Sequence, residues 1–213
     1  DRCLSRGLGD VYKRQAISQC IEGKNKDISR IILTASGGAF RDMGFNELKD
    51  ITPEQAKKHP NWDMGEKITI DSSTMMNKIF EIVETSYLFD IPIEKIEVLI
   101  HRESLVHSMV EFSDGSVKAQ ISKADMRLPI QHALSYDSQN LSYQNKLDFS
   151  KLKNLSFSPV DRKKYPCYDF AFDYIKKGPL YISALSITNE ILVDLFISEK
   201  ISFISIPKFN FGI

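Results

Sequence analysis

The residue pattern predicts an α+β fold: a mixed sheet with helices packed on it, followed by the start of a C-terminal helical bundle. Three observations lead there. The short apolar runs in "SRIILTASGG", "IEKIEVLIH" and "LVHSMVEF" have strand patterning and end at turn residues. The stretch "TIDSSTMMNKIFEIVE" instead sets its apolar residues at helical spacing. From "YDFAFDYIKKGPLYISALSITNEILVDLFISEK" onward the pattern is helical, so strands with interspersed helices give way to helices alone.

Taken in order, Asp1–Gln15 ("DRCLSRGLGDVYKRQ") shows neither helical nor strand periodicity and reads as a foreign leader. Its Gly7 and Gly9 lack the preceding strand that a dinucleotide fingerprint requires. Ala16–Gly23 reads as a helix end with Gly23 as the stop. Ile31–Thr34 is a buried strand running into a Ser-Gly-Gly turn. "ITPEQAKKHPNWDMGEK" combines a short helical stretch with a loop punctuated by Pro and Gly. Ser72 or Ser73 can cap a helix running to about Phe89, which "DIP" ends. Two strands follow, and "SDGS" turns the second into "VKAQIS" as a hairpin. Gly178-Pro179 divides two later helices. In sequence order the chain divides into 1–15, a central α+β domain over 16–150, and a linker with helices over 151–213.

The bulk properties narrow the function. A length of 213 residues suffices for a real core. Lys+Arg 28 against Asp+Glu 28 leaves no uniform basic field for nucleic acid or anionic lipid. No signal peptide or run of apolar residues of membrane-spanning length stands out. Three scattered cysteines, Cys3, Cys20 and Cys167, indicate a reducing compartment and no disulfide framework.

The helix after Ser72 carries the chemistry. At about 100° per residue, Asn77, Lys78, Glu81 and Glu84 share one face, with methionines and large aliphatics opposite. Such a face is either simply solvated, or it is an oxyanion site with a carboxylate one turn on, placed to hold a divalent cation. Two further stretches favour binding. In "LTASGGAFRD", Ser36, Gly37 and Gly38 follow a strand, where backbone can wrap an anion. In "KKHPNWDMG", His59, the lone Trp62, Met64 and Gly65 fit a lid that excludes water. Of the remaining histidines, His101 and His107 lie in or beside strands and read first as structural, with the roles of His107 and Ser104 left open.

These blocks, together with "EVLIHRESLVHSMVEFSDGSVKAQISKADMRLPI", "YPC" and "ALSITNEI", closely resemble 1-deoxy-D-xylulose 5-phosphate reductoisomerases from Ala16 to about Ser205. The resemblance implies an oxidoreductase/isomerase that converts 1-deoxy-D-xylulose 5-phosphate to 2-C-methyl-D-erythritol 4-phosphate. NADPH and Mg²⁺ or Mn²⁺ would be its cofactors, a phosphorylated sugar its substrate, and isoprenoid synthesis its pathway. It also implies a homodimer in the bacterial cytoplasm (a plastid if the source is a eukaryote), with neither nucleic-acid nor membrane partners. By the same resemblance, Ser36, Ser72, Asn77 and Lys78 would hold the phosphate. His59 would close over it and Trp62 would cover the substrate. Met64, Gly65 and Met126 would meet the cofactor. Glu81 would bind metal and substrate, so that Glu81 and His59 form the catalytic pair.

Departures from the family pattern set further expectations. The family's Asp-Ser-Glu metal segment should end just before Ala16, where "VYKRQ" stands instead, and the nucleotide-binding domain and last helices have no counterpart. The chain therefore reads as a fragment, inactive alone and poor at binding metal; the alternative is a non-catalytic phosphosugar-binding or dimerisation module. Ala39 stands where proline is common, and Arg102-Glu103 where Pro-Gln is common. Replacing Lys78 with alanine is expected to weaken substrate binding with little loss of stability.

Overall fold

The structure, a computed structural model, describes residues 8–22, 27–57, 65–125, 127–134 and 146–211. Contacts divide the chain into two compact units, one of residues 1–35 and 85–158, the other of residues 36–84 and 159–213. The expected boundary at 150 follows sequence order; the compact units are each discontinuous along the chain.

The first unit is built on a mixed sheet of strand order β4-β3-β1-β2-β5. Its central strand β1 (Ile28–Ala35) has its last five residues buried, as a continuous apolar run dictates. It runs parallel to β2 (Ile96–Ile100) and antiparallel to β3 (Val106–Phe112). A parallel pair needs a long crossover, which residues 36–95 provide. The predicted hairpin joins β3 to β4 (Val117–Ile121). Its turn closes through Gly115 N–H donating to Phe112 O at 2.9 Å, with Gly115 at φ +80°. The edge strand β4 has its first three residues exposed. The two-residue β5 (Ser158–Pro159) lies beside β2.

Helix α1 spans Leu8–Ile21 and packs on β3 and β4. It therefore begins well before Ala16, inside the segment in which the sequence shows no period. Lys13 on it donates to the Thr34 and His107 carbonyls.

The second unit is helical. A one-turn α2 (Pro53–Ala56) is capped by Thr52, whose side chain accepts from Gln55 N while Gln55 returns the bond. Then come α3 (Glu66–Thr74) and α4 (Met76–Phe89), whose last turn passes into the first unit. After α5 of the first unit (Arg127–Leu134) follow α6 (Pro166–Lys176), α7 (Pro179–Ile197) and α8 (Ser205–Phe211). Gly178 separates α6 from α7 at φ +102°, as predicted. A core of Phe40, Ile70, Leu192, Val193, Phe196 and Phe203 ties these elements together. Contrary to the sequence reading, one segment does have membrane-span length and composition: α7, at 19 residues and mean hydropathy 1.5. Its Leu185, Asn189, Leu192, Val193 and Phe196 are buried in the helical unit, while Leu180, Ile187 and Ile191 are exposed.

Candidate functional site

The expected single helix from Ser72 to Phe89 is two helices. Met75, at φ +66° and ψ 7°, breaks the ladder between α3 and α4. A left-handed methionine costs about 1–2 kcal/mol, and its burial at 1% exposure holds it there. Ser72 is accordingly no N-cap. It lies in the last turn of α3 and donates to Ile68 O at 2.8 Å. Thr74 stands at the break instead, its Oγ1 accepting from Met76 N at 3.4 Å. Ser73 is no cap either, its Oγ donating to Thr69 O at 3.1 Å, because a helix already runs from Glu66.

The first two turns of α4 carry a compact polar cluster. Lys78 Nζ lies 2.6 Å from both carboxylate oxygens of Glu81, and Asn77 Nδ2 donates to Glu81 Oε1 at 2.7 Å. The side chains of Lys78 and Glu81 are 9% and 3% exposed, which overturns the solvated-face alternative. A buried ammonium and carboxylate persist because each neutralises the other and their hydrogen bonds replace water. The same burial argues against the expectation that Lys78 can be removed at little cost in stability, since removal leaves the buried Glu81 carboxyl without its ammonium partner.

The Ser36-Gly37-Gly38 turn comes against the end of α3. Gly37 and Gly38 have φ +83° and +73°. A Cβ on Gly38 would stand 2.4 Å from Ser73 Cα, so only glycine permits the approach. Ala39 N–H donates to Ser73 Oγ at 3.1 Å, a bond that proline there could not make. Ser36 Oγ accepts from Gly38 N at 3.1 Å. Ser36 thus sits on a loop fixed to the turn that contains Ser72, and Asn77, Lys78 and Glu81 bond directly to one another.

Gly65 is the N-cap of α3, its carbonyl accepting from Thr69 N and Oγ1. His59, Trp62, Met64 and Met126 lie outside the described residues. Among the described residues no group of three or more His, Cys, Asp or Glu could hold a metal ion. Glu81 is a single carboxylate already engaged by Lys78 and Asn77, so the described residues do not by themselves fit a divalent cation.

Sequence reasoning missed Asp71. It is 4% exposed and accepts from Asn189 Nδ2 of α7 at 2.8 Å and from Lys67 Nζ. Burial raises its carboxyl above the usual range, against the pull of Lys67 and Asn189. No local signal marks it, since its partner Asn189 lies 118 positions away. Tyr165 was also missed; its hydroxyl donates to Gly37 O at 2.8 Å.

Both histidines in or beside the strands are buried and hydrogen-bonded to backbone. His101 Nδ1 donates to Ser156 O at 2.8 Å, while its Nε2 accepts from Leu105 N and Val106 N, which fixes one neutral tautomer. Glu103 accepts from Ser156 N at 3.1 Å and from its hydroxyl. Ser104 is left-handed at φ +52° in the same turn. His107 is 3% exposed, with Nε2 donating to Ser122 O at 2.9 Å. Burial, aided by the Lys13 charge, lowers its pKa from 6.5 to about 3. A depressed folded-state value means that the unfolded chain binds the proton first. Stability is then complete above pH 6.5 and is lost as pH falls toward about 3. Denaturant midpoints measured across that window should decline, and His107→Gln should flatten the decline.

Two family models match the chain: 1-deoxy-D-xylulose 5-phosphate reductoisomerase C-terminal domain over residues 12–89, and DXP reductoisomerase C-terminal domain over residues 121–211. The 1-deoxy-D-xylulose 5-phosphate reductoisomerase of Acetivibrio thermocellus is 47% identical over 197 residues, covering 92% of this chain and 52% of the relative. That of a Sulfurihydrogenibium species is 46% identical, covering 97% and 57%. The chain thus spans about half the length of the curated relatives it matches. Among solved structures, the Zymomonas mobilis enzyme in complex with NADPH superposes with TM-score 0.85 at 42% identity, over 93% of this chain and 51% of that one. A DOX-P reductoisomerase in complex with NADPH, fosmidomycin and magnesium gives 0.85 at 38% identity over the same shares. The two models match residues 12–89 and 121–211, and these relatives share the chain's sequence and fold over nearly its whole length: the chain belongs to the 1-deoxy-D-xylulose 5-phosphate reductoisomerase family.

Proposed function

We propose that this chain is the phosphosugar-binding part of an NADPH- and divalent-metal-dependent reductoisomerase. The complete enzyme converts 1-deoxy-D-xylulose 5-phosphate to 2-C-methyl-D-erythritol 4-phosphate as a cytoplasmic homodimer. The observation that carries the reading is the buried Lys78–Glu81 pair, with Asn77 bonded to it, in the first two turns after the Met75 break. A solvated helix face has no reason to bury an ion pair.

In this reading the Lys78 ammonium, the Asn77 amide and the hydroxyls of Ser36 and Ser72 bind the phosphate. Their distance from the reacting carbons lets binding energy be spent on orienting the sugar. His59 and Trp62 close over it and exclude water. Gly65, with Met64 and Met126, meets the nicotinamide cofactor, which supplies hydride when bound. Glu81 acts beside the substrate and, in the complete enzyme, would contribute one carboxylate to the metal site.

Two measurements test this. Titration calorimetry with the 213-residue chain should detect 1-deoxy-D-xylulose 5-phosphate and fail to detect the unphosphorylated sugar. Turnover with NADPH and Mg²⁺ should be absent for the chain alone and present for the full-length parent enzyme. Robust turnover by the chain alone would refute the fragment reading. An inactive parent that still binds the sugar ester would favour a non-catalytic module.

A further inference from the structure

We propose that Tyr165 is a positioning residue for the phosphate contact at Ser36, an inference that rests on the function proposed above. Two consecutive left-handed glycines carry no side chains that could hold their own loop, so its geometry is set from outside. Arg41 Nη1 donates to Ser36 O at 3.2 Å from within the loop, and Ser73 of α3 supports Gly38 and Ala39. The remaining anchor comes from far along the chain. Lys164 and Tyr165, just before α6, take two carbonyls of one short segment: Lys164 Nζ donates to Arg41 O at 2.5 Å and Tyr165 to Gly37 O at 2.8 Å. Tyr165 is 5% exposed, Lys164 Nζ lies 5.6 Å from its ring centroid, and Pro166 starts α6 directly after it.

The geometry of a single peptide unit links Tyr165 to Ser36. Gly37 C=O and Gly38 N–H belong to one rigid plane. The Tyr165 hydroxyl donates to the carbonyl end, and the N–H end donates to Ser36 Oγ at 3.1 Å. Fixing the carbonyl therefore fixes the N–H, and the N–H occupies a lone pair of the serine hydroxyl. That holds the serine oxygen in place, and with it the position from which the Ser36 hydroxyl meets the phosphate. The phenolic oxygen can be deleted without deleting the buried ring.

The test uses the full-length parent enzyme. Tyr165→Phe should raise KM for the phosphorylated substrate about tenfold, with kcat changed less than about twofold. Ser36→Ala should raise KM as well, and the double variant should be no worse than Ser36→Ala alone. Incorporating 4-aminophenylalanine at position 165, which keeps a donor, should restore KM. Unchanged KM in Tyr165→Phe, or additive effects in the double variant, overturns the proposal while leaving the phosphate site standing. Unchanged KM in Ser36→Ala instead overturns the phosphate role of Ser36, and the proposal with it. If Tyr165→Phe fails to fold and the 4-amino side chain does not rescue it, the hydroxyl is structural and the proposal is again overturned.

Discussion

Lys78→Met is expected to destabilise the protein by about 3–5 kcal/mol and to abolish measurable binding of the phosphorylated sugar. The magnitude follows from what the substitution leaves behind. Glu81, 3% exposed, would keep its bond from Asn77 but lose an ammonium held at 2.6 Å from both oxygens. An unpaired buried carboxylate costs several kcal/mol, far more than the worth of the intact pair. A second substitution separates stability from function. In Lys78→Met/Glu81→Leu the stranded charge is gone and apolar volume fills the space, so stability should return to within about 1 kcal/mol of the parent chain. Binding should stay lost, because neither an ammonium for the phosphate nor a carboxylate remains. Urea midpoints and calorimetry on the same preparations check both halves. If the double variant is no more stable than Lys78→Met, the pair is not the source of the cost. If Lys78→Met alone is as stable as the parent chain, Lys78 and Glu81 are solvated after all.

The sequence made the sheet largely legible, and the reason is local. The last five residues of β1 form an almost wholly aliphatic run, and the β3–β4 hairpin announces itself through Asp114-Gly115 between alternating patterns. The Gly178-Pro179 break was equally plain, since those two residues act on the backbone directly. What stayed hidden depends on tertiary contact. Nothing in "SSTMMNK" marks Met75 as left-handed, because methionine has no intrinsic preference for that region. Its conformation is imposed by burial. The face shared by Asn77, Lys78 and Glu81 was visible from helical spacing, yet spacing alone does not say whether a polar face looks at water or inward. Asp71–Asn189 and Tyr165–Gly37 join residues 118 and 128 positions apart, beyond the reach of any local pattern. The Ser-Gly-Gly turn was read for its freedom, whereas its second glycine is also required by lack of room.

That last distinction can be measured by replacing glycines that share a conformation but not a neighbourhood. Gly38 and Gly115 have φ +73° and +80°, so alanine at either position pays a similar backbone penalty, about 1–2 kcal/mol. At Gly115 a Cβ meets nothing within 4 Å, so the penalty should end there. At Gly38 the new methyl would stand 2.4 Å from Ser73 Cα and 2.7 Å from its N and Oγ. Backbone is the obstacle, so no rotamer change relieves it and the loop must move off α3. Displacing a packed segment typically costs a further 1–3 kcal/mol, about, and it breaks the Ala39 N–H to Ser73 Oγ bond as well. Gly38→Ala should therefore be destabilised by about 2–3 kcal/mol more than Gly115→Ala. It should also lose affinity for the sugar ester, while Gly115→Ala binds normally, because only the first carries Ser36 away from Ser72. Equal midpoints for the two variants would mean that Ser73 does not limit the loop. Normal binding by a destabilised Gly38→Ala would mean that Ser36 is not among the phosphate ligands.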